Sequence, residues 1–192
     1  SGSPKNSNVL WTGTADGNVQ ITRDSGKSWT NVVANVPGLP KNAWVSYIDA
    51  GHFDEGTAYA TFDAHTFGDM RPYAYKTIDF GKTWSPLVAT DAPVRGYAHV
   101  HREDIINQNL LFLGTEFGLW ITVDGGKQWA QYKGGDMPNA AVRHLQVHPP
   151  DNHLVVATHG RGIGVVAGLR PFRAQTSGPP GPHRASPQRT PD

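Results

Sequence analysis

The segment TIDFGKTW, Thr77 to Trp84, combines a hydroxyl, an acid, a glycine and a tryptophan within one short stretch. The same pattern, T-x-D-x-G-K-x-W, occurs as TRDSGKSW at residues 22–29 and as TVDGGKQW at residues 122–129. Successive aspartates of the pattern are 55 and 45 residues apart. A catalytic residue is normally needed once, whereas a motif repeated at this period indicates one structural unit used several times. We name these three segments the aspartate turns.

The residues of the aspartate turns favour a tight hairpin between two strands. Glycine adopts positive φ without a steric penalty, and Asp and Thr side chains hydrogen-bond the turn backbone. Each tryptophan supplies a large apolar surface, which we expect to pack between neighbouring sheets. The alternative, a calcium site, would have one carboxylate per turn, which is too few hard ligands. The residues with a predicted structural role are Asp24, Gly26, Trp29, Asp79, Gly81, Trp84, Asp124, Gly126 and Trp129.

The composition of the 192 residues excludes several classes of function. Charged residues make up 17% and the formal net charge is +1, so no electrostatic argument favours nucleic acid. Cysteine is absent, which excludes disulfides and thiolate chemistry. No apolar run approaches the roughly 18 residues of a membrane helix, so we predict no membrane insertion. The first residues, SGSPKNSNVLW, show no basic and apolar leader and hence no visible signal peptide.

Short apolar runs between Gly, Asp, Asn and Pro clusters predict an all-β fold. The runs form repeating four-strand units near residues 4–36, 42–90, 93–134 and 141–170. The first unit has no room for its innermost strand, and the last has no aspartate turn and no outer strand. We therefore predict residues 1–172 to be a partial β-propeller of about four blades, with 14 strands and both ends in mid-blade. Residues 173–192 are rich in Pro, Ser and Arg and predict a flexible tail.

An open propeller leaves unpaired strand edges, which natural proteins avoid. We therefore expect either that the chain is part of a longer propeller or that it closes with another copy of itself.

The aspartate turns resemble the Asp box, also called the BNR repeat, of sialidase-like and sortilin-type β-propellers. The ordered segments LWTGTADGNVQITRDSGKSW, AYATFDAH, PYAYKTIDFGKTW, LLFLGTEFGLWITVDGGKQW and VATHGRGI are similar to the C-terminal part of large bacterial proteins of this group. The resemblance covers roughly residues 4–170. It implies an extracytoplasmic protein, periplasmic or secreted. Members carry the label "BNR-repeat glycosyl hydrolase", which rests largely on fold analogy, a weak guide to activity.

Propeller geometry indicates which turns face a ligand. The aspartate turns lie at one end of the blades, and the turns between the second and third strands lie at the opposite end, around the channel mouth. The turn DAHTFGDMRPY at this mouth is longer than its counterparts TADGN and TEFGL, as functional insertions often are. The ligand-binding candidates at this end are His65, Phe67, Arg71, Arg95, Phe117, Arg143, His159 and Arg161.

The mouth also supplies the candidates for catalysis. Arg95, Arg143 and Arg161 could clamp a carboxylate or a sulfate, and sialidases use such an arginine cluster. A glycosidase needs two carboxyl groups in suitable positions. Glu116, with Asp63 or Asp69, is the pairing that the sequence offers. The alternative is structural: Glu116 caps a tight turn and the arginines brace strand edges.

Nine histidines raise the question of a metal. His99 and His101 lie two apart on one strand, and His144 and His148 share a face of another. These strands could bring a zinc site together if a third ligand joined them. Histidines that line a channel and hydrogen-bond water or backbone are the more common case, so we predict no metal and no cofactor.

The sequence as a whole favours a non-catalytic scaffold or binding segment from a larger exported bacterial protein, with a protein or glycan ligand. The alternative is a fragment of a sialidase-like or xyloglucanase-like glycoside hydrolase.

Overall fold

The computed structural model describes residues 1–135, 137 and 139–175. Within them the chain forms fourteen strands in four antiparallel sheets, as predicted. The first sheet contains β1 (Leu10–Gly13), β2 (Val19–Thr22) and β3 (Thr30–Asn31). The second contains β4 (Trp44–Ala50), β5 (Ala58–Ala64), β6 (Asp69–Thr77) and β7 (Ser85–Pro86). The third contains β8 (Ala98–Glu103), β9 (Leu111–Thr115), β10 (Gly118–Thr122) and β11 (Ala130–Gln131). The fourth contains β12 (Val142–His148), β13 (His153–Thr158) and β14 (Ile163–Val166).

The sheets pack face against face in chain order, with an apolar core between each neighbouring pair. Trp11 and Ile21 of the first sheet meet Phe62 of the second. The second and third sheets share a core of Tyr59, Ala74, Leu87, Leu113, Trp120 and Trp129. The third and fourth share Phe112, Leu119, Ile121, Leu145, Leu154 and Val156. This stack of four antiparallel sheets is a β-propeller segment, which confirms the predicted fold, and we refer to the sheets as the first to fourth blades.

The aspartate turns are closed by a repeated set of hydrogen bonds. The Thr77 hydroxyl donates to Asp79 at 2.9 Å, and the Gly81 amide donates to the Thr77 hydroxyl oxygen at 2.9 Å. The Thr83 amide and hydroxyl donate to the two Asp79 oxygens at 2.9 and 2.7 Å. Gly81 has a φ of 78°, which a residue with a side chain rarely adopts. The other two turns repeat the Thr-to-Asp bond at 2.7 Å each.

The three tryptophans of these turns do not share one environment. Trp84 and Trp129 are each 5% exposed and pack on the preceding blade. Trp29 is 42% exposed. The expectation that all three pack between sheets is wrong for Trp29, because no described sheet precedes the first blade.

The first residues of the chain lie on the inner edge of the first blade, where the sequence left no room for a strand. Gly2 forms an antiparallel bridge with Leu10. The Ser3 amide donates to the Val9 carbonyl at 2.9 Å, and the Trp11 amide donates to the Ser1 carbonyl at 2.8 Å. A short segment therefore takes part of the place of the missing innermost strand.

A helix follows the last strand. Helix α1 (Arg170–Gln175) places Arg173 against Asp104 of the third blade, with guanidinium-to-carboxylate distances of 2.9 and 2.7 Å. The predicted flexible tail began at Arg173, and this boundary is wrong because residues up to Gln175 belong to the helix. The rest of that tail, residues 176–192, lies outside the described residues. In the part of the chain that the structure covers, no helix is both long and apolar enough to cross a membrane.

Candidate binding site at the mouth of the blades

Strand pairing brings the start of each inner strand next to the turn that follows the second strand. Trp44 pairs with Asp63, and Ala98 pairs with Thr115. The fourth blade repeats the arrangement with Val142 opposite Thr158. The polar side chains at the start of β8 and β12 and those after β5 and β9 therefore meet at one end of the blades, which we call the mouth.

A charged cluster at the mouth joins the third and fourth blades. His99 Nε2 lies 3.0 Å from Glu116 Oε2, and Arg143 Nη1 lies 3.1 Å from His99 Nδ1. Arg143 Nη2 is also 3.7 Å from the same Glu116 oxygen. The His99 side chain is buried, whereas those of Glu116 and Arg143 are 31% and 45% exposed. His99 is thus the buried member of the cluster, and the two charged side chains are accessible to solvent. We call these three residues the mouth cluster.

The hydrogen bonds define the state of His99. Arg143 has only donors, so Nδ1 of His99 accepts and its Nε2–H donates to Glu116. Burial lowers the pKa of His99, and the positive charge of Arg143 lowers it further, against the opposing effect of Glu116. His99 is therefore the neutral imidazole at pH 7. It positions the Glu116 carboxylate and does not neutralise it.

The pKa of Glu116 reflects two opposing effects. Partial burial acts to raise it, but interactions with His99, the Tyr97 hydroxyl and Arg143 outweigh burial and leave it below its ordinary value. Glu116 is therefore ionised at neutral pH. An ionised carboxylate held by donors accepts hydrogen bonds well, but it has no proton to give to a leaving group.

The second blade contributes a neighbouring group. The His65 ring stacks on Tyr97 with centroids 4.5 Å apart, and Tyr97 in turn meets His99 edge-on at 4.7 Å. Asp63 anchors His65, with its carboxylate 2.6 Å from the ring Nδ1. The structure therefore gathers four of the predicted residues, Asp63, His65, Glu116 and Arg143, around a tyrosine and a histidine.

Asp69 and Arg71 form a separate pair within the second blade. Arg71 donates to both Asp69 oxygens, at 3.0 and 2.6 Å, and the Tyr73 hydroxyl donates at 2.7 Å. These bonds, first that of Arg71, hold the pKa of Asp69 well below its usual range. Because these partners come from its own strand, this pair stiffens the long turn, and among the described residues Asp69 makes no hydrogen bond to Glu116.

The remaining predicted arginines and His159 are exposed and lie outside the mouth cluster. Within the described residues, the side chains of Arg95 and Arg161 have no hydrogen bond or ion pair. His159 is held only through its backbone amide, which donates to the Ala141 carbonyl at 2.8 Å. The expected three-arginine clamp is not formed, because Arg143 alone of the three contacts the cluster.

Exposed aromatic side chains lie on the turns and strand ends of the mouth. Phe67 and Phe117 are 59% and 48% exposed, and Trp44 is 48% exposed. Gly96 has a φ of 78°, and a Cβ there would lie 2.9 Å from the Phe117 ring. Glycine at position 96 therefore lets this ring lie across the start of β8. Large exposed aromatics beside polar groups are typical of binding surfaces.

The four histidines considered for a zinc site contact different groups. His101 is fully buried and stacks on Tyr59 with centroids 4.2 Å apart, while His144 meets Tyr47 edge-on. Among residues 1–135, 137 and 139–175, no group of three or more His, Asp or Glu residues is placed to hold a metal ion.

Two residues of the mouth were not among the predicted candidates. Tyr97 links the second and third blades, and its signal in the sequence is its position directly before β8, two residues from His99. Trp44 lies at the start of β4, and this position leaves its side chain exposed. Both depend on how neighbouring blades meet, which spacing along the chain does not show.

Comparison with known proteins supports the fold alone. No protein-family model matches the chain, and no curated protein matches it. A structure described as YCF48 bound to a D1 peptide matches 83% of this chain with 16% identity and a TM-score of 0.56. YCF48 from Cyanidioschyzon merolae matches 88% with 17% identity and a TM-score of 0.59. A GH74 xyloglucanase from Xanthomonas campestris matches 85% with 20% identity and a TM-score of 0.62.

These structures are β-propellers, so the class of this protein is a β-propeller. The chain spans 47% and 52% of the two YCF48 chains and 26% of the xyloglucanase.

Proposed function

We propose that the chain is a non-catalytic binding segment of a β-propeller and that its ligand is a segment of another protein, bound at the mouth. The observation that carries this proposal is the mouth cluster. Arg143, His99 and Glu116 form a connected network on two blades, and two of the three side chains remain open to solvent. A network held in place before binding loses little entropy when a ligand arrives.

The chemistry of the mouth fits a polypeptide. Arg143 donates hydrogen bonds, and the ionised Glu116 accepts them, so the two suit the carbonyl and amide groups of an extended backbone. Because their charges nearly balance, the cluster offers little to a phosphate or another strong anion. Trp44, Phe67 and Phe117 add apolar contact area for ligand side chains.

One of the structural neighbours supports a protein ligand. YCF48 shares the fold over 83% of this chain, and its structure is described as bound to a D1 peptide. The likeness at 16% identity concerns the fold, so the ligand of this chain is our proposal from the mouth residues.

A phage-displayed library of short random peptides, selected on the purified chain, tests the proposal. We expect selected peptides to lose at least about tenfold in affinity for Glu116→Gln and for Arg143→Ala, as central interface residues do. The matched controls are Glu55→Gln and Arg23→Ala, which lie at the opposite end of the blades and should bind as the wild type does. Peptides that bind all variants equally, or binding to a glycan array but to no peptide, would overturn the proposal.

A glycoside hydrolase fragment is the second candidate. Glu116 contacts His99, Asp63 contacts His65, which stacks on Tyr97, and GH74 enzymes share the fold. The lowered pKa of Glu116 argues against the general acid that such an enzyme needs. Release of sugar from xyloglucan oligosaccharides by the wild type, lost in Glu116→Gln, would replace the binding proposal with this one.

We further propose that the chain belongs to the Asp-box, sortilin-type group and comes from an exported bacterial protein. The three aspartate turns support the group, since each repeats the Thr-to-Asp hydrogen bond. Detection of the parent protein only in the cytoplasmic fraction of its cells would contradict export. Other blades, from a longer protein or from a second copy, would complete the ring.

A further inference from the structure

The second and third blades each contact the preceding blade through the aspartate turn. Trp84 meets Trp11 of the first blade edge-on with centroids 5.9 Å apart. The Trp129 indole Nε1 donates to the Leu87 carbonyl of the second blade at 3.0 Å. A Cβ on Gly81 would lie 2.8 Å from Val32, which shows how closely the turn approaches its neighbour. The same type of contact between blades therefore occurs twice in this chain.

The first blade has the same turn, but no blade precedes it among the described residues. Trp29 is 42% exposed, against 5% for Trp84 and Trp129. A Cβ on Gly26 would meet nothing within 4 Å but Trp29 itself, whereas Gly81 and Gly126 approach the preceding blade.

The fourth blade exposes the surface that would receive such a turn. Ile163 and Val165 of β14 are 74% and 54% exposed. Register equates them with Leu119 and Ile121 of the third blade, since Ala157 pairs with Ile163 as Gly114 pairs with Leu119. Leu119 and Ile121 are only 1% and 6% exposed, because the fourth blade covers them. The outer face of the fourth blade is thus an apolar surface that no described blade covers.

The strands of the two end blades carry few charged side chains. The strands β1, β2 and β14 contain no Asp, Glu, Lys or Arg, and neither does β13. Sheet ends that stay in solvent usually carry charges that prevent association. Their absence indicates that both faces are normally covered.

We propose that the fourth blade of one copy binds the first blade of a second copy, so that two chains form a closed two-fold ring. Trp29 and its aspartate turn would then lie on Val155, Ile163 and Val165 of the partner copy, as Trp84 lies on the first blade. One observation favours a second copy as the occupant: this chain carries both complementary faces, the aspartate turn with Trp29 at one end and the apolar surface with Ile163 and Val165 at the other. Two equivalent contacts close the assembly.

This inference deepens the ring-completion part of the proposed function, and it makes no use of the ligand. A second copy would supply the other half of the mouth, so the mouth cluster would line one side of a wider opening. The mass of the chain can therefore be measured without any ligand, and peptide binding can fail while the ring stands, or the reverse.

Light scattering coupled to size exclusion tests the proposal on the full chain. We expect twice the 20.8 kDa of one chain. Ile163→Glu and Val165→Glu should raise the dissociation constant at least about a hundredfold, because an uncompensated carboxylate would be buried. Trp29→Ala should raise it about tenfold.

The matched control is Ile106→Glu, which introduces the same charge at a residue that is 61% exposed in the turn before β9. It should remain dimeric. A wild-type monomer at high micromolar concentration would overturn the proposal, as would an open-ended series of larger species. Equal dissociation constants for Ile163→Glu, Ile106→Glu and the wild type would overturn it as well.

Discussion

Trp84 of the second blade meets Trp11 of the first edge-on, with ring centroids 5.9 Å apart and an interplanar angle of 78°. Trp11 is 2% exposed and Trp84 is 5% exposed. The pair lies in the core between the two blades, so a residue of a repeated surface turn is also a core residue of the fold.

Replacement of Trp84 should therefore act on stability. We expect Trp84→Ala to lower the free energy of unfolding by about 3–5 kcal/mol, as the loss of a buried aromatic does. Urea unfolding followed by fluorescence measures it. Trp44→Ala is the matched control, since this tryptophan is 48% exposed at the mouth, and it should shift the value by no more than about 0.5 kcal/mol. Similar losses for both variants would contradict the assigned packing.

The contact between α1 and the third blade gives a second prediction. Arg173→Ala should lower the free energy of unfolding by about 3–5 kcal/mol, because it leaves the buried Asp104 carboxylate without its cation. Thermal or urea unfolding checks this. Arg170→Ala, in the same helix but exposed, should stay within about 0.5 kcal/mol of the wild type. An Arg173→Ala chain as stable as Arg170→Ala would mean that the helix does not hold this contact in solution.

The aspartate turns give a prediction about acid. Hydrogen bonds from the Ser28 hydroxyl and amide, with that of Thr22, lower the pKa of Asp24 from 3.8 to about 2. The folded pKa lies below the unfolded one, so this stabilisation is present above pH 3.8 and is lost as the pH falls toward 2. Asp79 has a lowered pKa for the same reason, through Thr83.

Melting temperatures recorded between neutral pH and pH 2 would show this. Asp24→Asn removes the titrating group, so its melting temperature should fall less steeply than that of the wild type across this window. Asp91→Asn is the control, since Asp91 is exposed and has no side-chain partner among the described residues. Its profile should follow the wild type, and an equally steep fall in Asp24→Asn would show that the turn does not depress the pKa.

Most of the fold could be predicted because its signals are local. Alternating apolar residues between turn formers mark strands such as β4, β12 and β13 in the sequence. The outer strands β7 and β11 are only two residues long, because the tryptophans before them turn into the core. Helix α1 was missed, since its anchor pairs Arg173 with a carboxylate 69 residues away.

The sequence predicted which turns form the site, but it did not predict which side chains contact one another. Propeller geometry placed Asp63, His65, Glu116 and Arg143 at one end of the blades, and the structure gathers them there. The partners of each side chain depend on distances between blades. Arg71 therefore pairs with Asp69, and Tyr97, which was not predicted, contacts the residues of the mouth.

In the second and third blades the tryptophan of the aspartate turn packs on the blade before it, which gives the contact a direction. Surfaces of this kind are heterologous, so identical copies add head to tail. The angle between blades then decides the outcome, because the rotation either returns to its starting point or advances along an axis. The contact that makes a finite ring at one angle would build an endless filament at another.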